Sequence, residues 1–547
     1  MLGVANPDTL FKAPSRDSVS KPTQGLPQFD IPEYVITGTA TIDLPDVEKQ
    51  NAAEGALTLE TANPVDAARD RMTIEYAPEK ERMSNADLAA QNGKLLVSSG
   101  TRLTSTIGLW MNTMKPNYSL FGDAGYGVAK AYLPFTNRSE GHFDLLGSLV
   151  LRGPSDSPGG IRLLGDLSYA NETYRFYGSQ TPGITRSLSH FNLGAGLESP
   201  HDLLYTYGFR AGVQVLNIAD SSASTTETQF TLGFRSNVFL NPIPLDAKVE
   251  VVFASLAGTN SPTLPYVDAS LLTPRRWFGD FYADGALHLY ITQGMLGQKF
   301  ARLYPNLELG YKLMPGSVLS ASYDGKVQFN TLARLIETNP YVSAGSVLRQ
   351  SDIPLNLSFV LESDWDEVWR TKVSARFQSV KNYPLLTEGG LGPWSLVWGP
   401  AGPKGIWMTD YSGTTSIDSY RADVFAKFGS NGYFTMSVEV NTSKNSKTQW
   451  EVPYLPEKRI EAGVLWEAVR GLSIHPTVSF VGLRVPDLYE PSKLSEHVVF
   501  GAQATYAPTR SVDVLFEIRN LSDTKYDEWY GYRATPFVMT AGVGFRW

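Results

Sequence analysis

Histidine is the first residue type to weigh, because imidazole serves both proton transfer and metal binding. The chain has six: His142, His190, His201, His288, His475 and His497. No two stand four apart, the spacing that puts a pair of ligands on one helix face. Glu496 adjoins His497, but neighbours in a strand point to opposite faces and cannot share a ligand. His190, His288 and His475 fall on the polar parity of strand-like segments. There is no cysteine, so disulfides and thiolate–metal sites are excluded. No GxxxxGK[ST] phosphate loop and no EF-hand spacing occur; Ser155–Gly160 and Glu388–Pro393 are glycine-rich turn material. The expectation is a protein that is not an enzyme and carries no cofactor or resident metal.

A second set could bind rather than catalyse. The segment Lys381–Thr415 holds Tyr383, Trp394, Trp398, Trp407 and Tyr411, stiffened by Pro393, Pro400 and Pro403. Trp450, Tyr454, Tyr489, Trp529, Tyr530 and Tyr532 lie in later segments of the same kind. Tyr and Trp offer large contact area with a polar handle. Trp394, Trp398, Trp407, Trp450, Trp529 and Tyr530 are therefore candidate ligand or partner contacts, with loop packing the competing use. Tyr383 and Tyr532 stand close to strand ends and fit an aromatic belt at a membrane interface.

The third set is charged residues at every second position of otherwise apolar runs: Arg210, Arg235, Asp324, Lys326, Arg421, Asp423, Glu439 and Arg519. The elements that hold them alternate with period two, the signature of strands whose faces differ. Tyr420, Ala422, Val424, Ala426 and Phe428 alternate with Arg421, Asp423, Phe425 and Lys427. In the last segment Phe537, Met539, Ala541, Val543, Phe545 and Trp547 share one parity, against Val538, Thr540, Gly542, Gly544 and Arg546. Such a ribbon suits a strand with lipid on one side and a wet lumen on the other. No apolar run reaches the length of a transmembrane helix.

Loop lengths separate a barrel from a soluble sandwich. Backwards from Trp547, long connections (521–535, 482–495, 441–458, 381–415, 330–353) alternate with short ones (507–510, 469–471, 429–431, 363–368, 314–316). Long loops on one side and tight turns on the other form the outer-membrane pattern. The fold class is thus all-β: a large antiparallel transmembrane barrel of about twenty strands, the first near Asn117–Leu133. A weakly alternating pair within Lys94–Met114 would raise the count to 22. A ring of this size has a lumen its side chains cannot fill. A net charge of −8 lacks the basic footprint of nucleic-acid binding.

The stretch Ile518-Arg-Asn-Leu-Ser-Asp-Thr-Lys-Tyr526, followed by Glu528-Trp-Tyr-Gly-Tyr532, resembles the penultimate strand and last loop of TonB-dependent receptors. Ser522 and the terminal Trp547, where Phe is commoner, depart from that pattern. Pro32-Glu-Tyr-Val-Ile-Thr-Gly38 looks like the family's TonB box, and its β-branched residues suit edge pairing with a partner strand. The resemblance implies a bacterial outer-membrane receptor whose outer loops capture an extracellular ligand. Glu33, Tyr34, Val35, Ile36, Thr37 and Gly38 would engage TonB or another periplasmic partner, and Phe545 and Trp547 would form the C-terminal assembly signal. The family's plug is longer than the space between Gly38 and the first strand. The segments expected are a Pro/Ser-rich tether (1–31), a short N-terminal segment holding a reduced plug or extra strands (32–116), and the barrel (117–547). Met1–Pro7 lacks a basic n-region, so an export signal is expected to have been removed. The competing function is a plug-poor accessory barrel within a complex of outer-membrane proteins.

Overall fold

The computed structural model describes residues 92–547, apart from 102–103, 116, 152–159, 200–204, 221–222, 241–242, 258–262, 294–298, 366–367, 389–404, 430 and 489–492. The tether, the Glu33–Gly38 stretch, Trp394 and Trp398 lie outside the described residues.

The alternating segments become one antiparallel sheet that closes on itself. Each strand of the ring pairs with the next, the loops holding two small hairpins apart from it (Leu385–Glu388 with Trp407–Asp410, Asp527–Trp529 with Tyr532–Arg533), and the last, Val538–Arg546, returns to the first, Gly93–Gly100, in the register Lys94↔Arg546 to Gly100↔Thr540. Ser317–Asp324 and Lys326–Gln328 are two pieces of one strand, interrupted at Gly325 and both paired with Ser351–Trp365. The ring therefore has 22 strands. Closure leaves no edge with unpaired backbone groups, the condition for a sheet to cross a bilayer.

The ring begins before residue 117. Gly93–Gly100 and Ser105–Lys115 pair with each other and fill the gap between the last strand and Tyr118–Ala129. Their alternation is faint because Leu96 and Trp110 share the parity of Lys94 and Asn112, while Ser99 and Ser105 share that of Val97 and Ile107. At the seam Asp513 pairs with both Lys94 (3.3 Å) and Arg546. The amides of Asn92 and Gly93 donate to the Trp547 carbonyl at 2.6 and 3.2 Å. The Trp547 ring lies where a Cβ on residue 93 would stand, 2.4 Å from Cζ2, so a side chain there would displace the terminal ring.

Outward parity is apolar on every side: Val97, Phe143, Leu193, Phe230, Leu303, Val373, Phe500 and Val543 are exposed. A soluble surface rarely shows so continuous an apolar band, whereas lipid requires it. At the short-turn end the outward face turns aromatic, with Trp277, Trp365, Trp369, Trp466, Tyr506 and Phe545 exposed near the strand ends. Amphipathic rings of this kind collect at a bilayer interface. Tyr383 and Tyr532, expected in such a belt, are buried and belong elsewhere.

Inward parity carries the charges. Arg421 bonds Asp423 at 3.0 Å, Arg519 bonds Glu517 at 2.6 Å, and Glu439 accepts from Asn441 at 2.8 Å. Positions i and i+2 of a strand share a face, so these pairs form within a single strand. Asp324 accepts from Asn356 at 3.3 Å. Arg210 stands across from Gly196 and Gly233, and Arg235 across from Gly208 and Lys248.

Candidate functional site: the capped mouth

The long loops, 329–350, 382–413, 446–457, 482–496 and 520–537, all leave the same end of the barrel. Their apolar residues pack together and against the far wall. Leu332, Leu335 and Ile336 join Trp407, Tyr454, Trp529 and Tyr532 in one cluster with Leu216, Ile218, Ala254, Leu256 and Leu264 of the strands. The loops thus lie across the mouth as a cap with its own core.

The segment 329–350 reaches furthest. Thr331 caps the short helix Leu332–Thr338, its hydroxyl accepting from the Arg334 amide at 3.2 Å. One face of that helix buries three aliphatic side chains, each contributing about 1.5–3 kcal/mol. Glu227 of strand Ala223–Leu240 accepts from the Leu332 amide at 2.5 Å, placing a carboxylate against N–H groups that have no partner within a helix. Arg186 of strand Thr185–Glu198 is fully buried. It holds Asp220 through two bonds of 2.6 Å and donates to the carbonyls of Pro340 (2.8 Å) and Val342 (2.7 Å). Tyr174 donates to the same Pro340 carbonyl at 2.5 Å. Three side chains of the wall are therefore committed to the backbone of one loop, and together they act as a latch.

The cap's core is aromatic. Tyr341 stacks on Tyr532 with centroids 3.6 Å apart, and Trp407 meets Tyr454, Trp529 and Tyr532 at 5.7–6.0 Å. Backbone bonds tie the loops: Trp407 N–H donates to Tyr341 O at 3.1 Å, and Ser343 N–H to Trp407 O at 2.7 Å. Tyr532 donates to Gly405 O at 2.7 Å. Arg484 donates to the carbonyls of Asp527 and Glu528 at 3.0 and 3.2 Å, while burial pulls its guanidinium below the ordinary value. Burial also raises the Tyr454 hydroxyl well above the usual tyrosine range. Gly531 (φ +80°) turns the last loop against Gly178 of the wall, a conformation and an approach that favour glycine.

The candidate residues divide accordingly. Trp407 (0 % exposed) and Trp529 (1 %) form the core of the cap rather than its surface. Trp450 and Tyr530 are exposed at 40 % and 48 % and remain free to touch a ligand or partner. The Asn520–Tyr526 stretch is a turn clamp. Asn520 and Asp523 adopt positive φ (47° and 49°), a region Asn and Asp tolerate. The Asn520 side chain donates to Thr524 O and Thr535 O at 3.0 and 3.1 Å, and Tyr526 stacks on His497 at 3.8 Å.

Sequence spacing missed two things. The latch residues come from strands 100 or more positions away from the loop they hold, so no local pattern marks them. The lumen also brings together Asp123, His142 and Asp144, whose carboxylate and imidazole atoms lie within 4.8 Å of one another. Asp123 faces Asp144 directly across the strand pair, and His142 Nε2 reaches Asp123 at 2.8 Å. This is the only His/Asp/Glu grouping of that kind among the described residues.

Comparison with solved structures shows whose fold this ring shares. The FrpB iron transporter from Neisseria meningitidis superposes with a TM-score of 0.66 over 84% of this chain and 81% of its own, at 11% identity. The copper transporter OprC gives 0.64 over 83% and 82% at 12% identity. The siderophore receptor PiuA from Acinetobacter baumannii gives 0.64 over 83% and 81% at 10% identity. The barrel has the TonB-dependent receptor fold. No family model and no curated protein matches the sequence. The likeness to that fold is one of backbone course, held at an identity too low for side-chain patterns to carry over.

Proposed function

We propose that the protein is an outer-membrane receptor-type barrel that admits an extracellular ligand through a mouth its own loops hold closed. The loop end faces outward and the aromatic girdle of the turn end sits at the periplasmic interface. The observation that supports this most is the latch: Arg186, paired with Asp220, and Glu227 both hold the backbone of segment 329–350. A ligand opens such a mouth only by binding the open arrangement better than the closed one. The iron, copper and siderophore named for the similar structures favour a scarce small ligand. Energy coupling is assigned to Glu33–Gly38, through strand addition to TonB or another periplasmic partner.

Planar-bilayer conductance tests the gate. The wild-type chain should show no large steady conductance, and the Arg186→Ala/Glu227→Ala variant should show long openings. A steadily open wild type, or a double variant as silent as the wild type, would contradict the reading. Deleting residues 32–38 should abolish uptake while leaving surface binding intact; unchanged uptake would remove the coupling assignment. A second reading, an accessory barrel bound to another outer-membrane protein, draws support from the exposed Trp450 and Tyr530 on the outer face of the cap. A stoichiometric partner retained in mild detergent would favour it.

A further inference from the structure

A set of side chains in the lumen takes no part in the latch or in the core of the cap. Asp123 of strand Tyr118–Ala129 stands directly across from Asp144 of strand Arg138–Leu151, near the middle of both. His142 shares the inward face of Asp144, and its Nε2 lies 2.8 Å from Asp123 Oδ2. One ligand atom from each of the three falls within 4.8 Å of the others. Asp123 and His142 stand 19 residues apart, so only the register of the two strands brings the group together.

Two carboxylates that face each other across a strand pair repel. At two other places in the lumen an arginine relieves such a pair. Arg138 spans Glu140 and Glu172 at 3.3 and 2.9 Å, and Arg275 spans Asp284 and Glu308 at 3.3 and 2.6 Å. No lysine or arginine does this for Asp123 and Asp144 among the described residues. Asp144 makes no hydrogen bond or ion pair with any of them. His142 brings at most one positive charge, and only when protonated, against two negative ones.

A cation of charge two balances this set, since two carboxylates and a neutral imidazole together carry two negative charges. Imidazole with carboxylate is a donor set for zinc and its first-row neighbours, whereas calcium takes six to eight oxygens. Zinc holds such donors at about 2.0–2.2 Å, which puts adjacent ligands about 3 Å apart. The separation of His142 and Asp123 is already close to that. Gly125, the residue opposite His142, provides a seat for the ring. A Cβ there would overlap the imidazole, so the ring rests against bare backbone of the neighbouring strand. All three ligands come from two adjacent strands of the wall, and the set is therefore complete whether the mouth is open or closed.

We propose that Asp123, His142 and Asp144 form a divalent transition-metal site that ties the third and fourth strands of the ring together from the lumen side. The ion is resident in the wall, and the site does not depend on the gate. The tag-free full-length barrel in detergent, stripped with EDTA and dialysed, should be titrated calorimetrically with zinc chloride and, for comparison, calcium chloride. One equivalent of zinc should bind at micromolar concentration, and calcium should bind far more weakly. Loaded instead with one equivalent of copper(II), the protein should give an electron paramagnetic resonance spectrum split by a single imidazole nitrogen. His142→Gln should abolish that splitting. His142→Gln and Asp144→Asn should each weaken zinc at least tenfold, equal to about 1.4 kcal/mol. Asp144→Asn keeps the shape of the side chain while removing the opposed charge, and heat-modifiable gel migration confirms that each variant is folded. No zinc binding at millimolar concentration, calcium bound as tightly as zinc, or folded variants that bind like the wild type would each overturn the proposal. The Arg186→Ala/Glu227→Ala variant should bind zinc as the wild type does, and loss of binding there would overturn it too. Conductance is read in EDTA, so failure of the metal site and failure of the gated barrel are distinguishable.

Discussion

The two halves of the ring are built from the same kind of strand and differ in what joins them. From Gly93 to Met314 the loop-end connections are short, the longest being 176–184, and the strands present a fixed wall. From Ser317 to Arg546 every loop-end connection is long, and together these loops make the cap. The second half could not close the mouth alone, because its farthest loop is held by Tyr174, Arg186 and Glu227 of the first. One half supplies the lid and the other the catch. The ladders that join the halves, Gly93–Gly100 with Val538–Arg546 and Lys299–Met314 with Ser317–Asp324, belong to the ring, so a gate divided in this way can open without disturbing them.

The contrast between wall and cap makes graded demands. Trp407→Ala should have the largest effect, removing a fully buried ring at a cost of about 3–5 kcal/mol. That loss should fall on the cap: limited proteolysis should cut the long loops, while the ring keeps its heat-modifiable migration. Loss of the ring together with the cap would show the halves to be one cooperative unit. Leu303→Arg, on the outward face of the wall, should cost about 2–4 kcal/mol if it sits near the bilayer midplane. It should lower the urea midpoint of refolded barrel in vesicles and leave loop proteolysis as in the wild type; accelerated loop cleavage would tie wall and cap together. Trp450→Ala, exposed on the cap, should shift stability by less than about 0.5 kcal/mol. A clear drop in melting temperature would mean that its ring is structural after all.

Much of the wall is legible in the order of its residues. Alternation places Arg421, Asp423, Glu439 and Arg519 inward and Tyr420, Met436 and Val543 outward, because a strand's period is fixed by its backbone. The long and short connections of the second half are equally plain, since each is bounded by alternating runs. The first two strands are faint because their parities mix Leu96 and Trp110 with polar neighbours. The cap is legible only as composition. An aromatic loop reads the same whether its rings meet a ligand, as expected for Trp407 and Trp529, or meet each other, as those two do. The difference lies in which distant loops fold onto them.

What the sequence determined by itself is the ring: its period, its lipid-facing belt, and the end at which its long loops emerge. All three follow from local rules, in which a residue's neighbours two positions away already decide its face. Tertiary structure alone decided that the loops close the mouth, that Arg186 and Glu227 hold them, and that Trp407 and Trp529 meet inside the cap rather than at its surface. Those outcomes depend on contacts between residues far apart in the chain. Such contacts are selected by three-dimensional packing, and no spacing in the sequence records them.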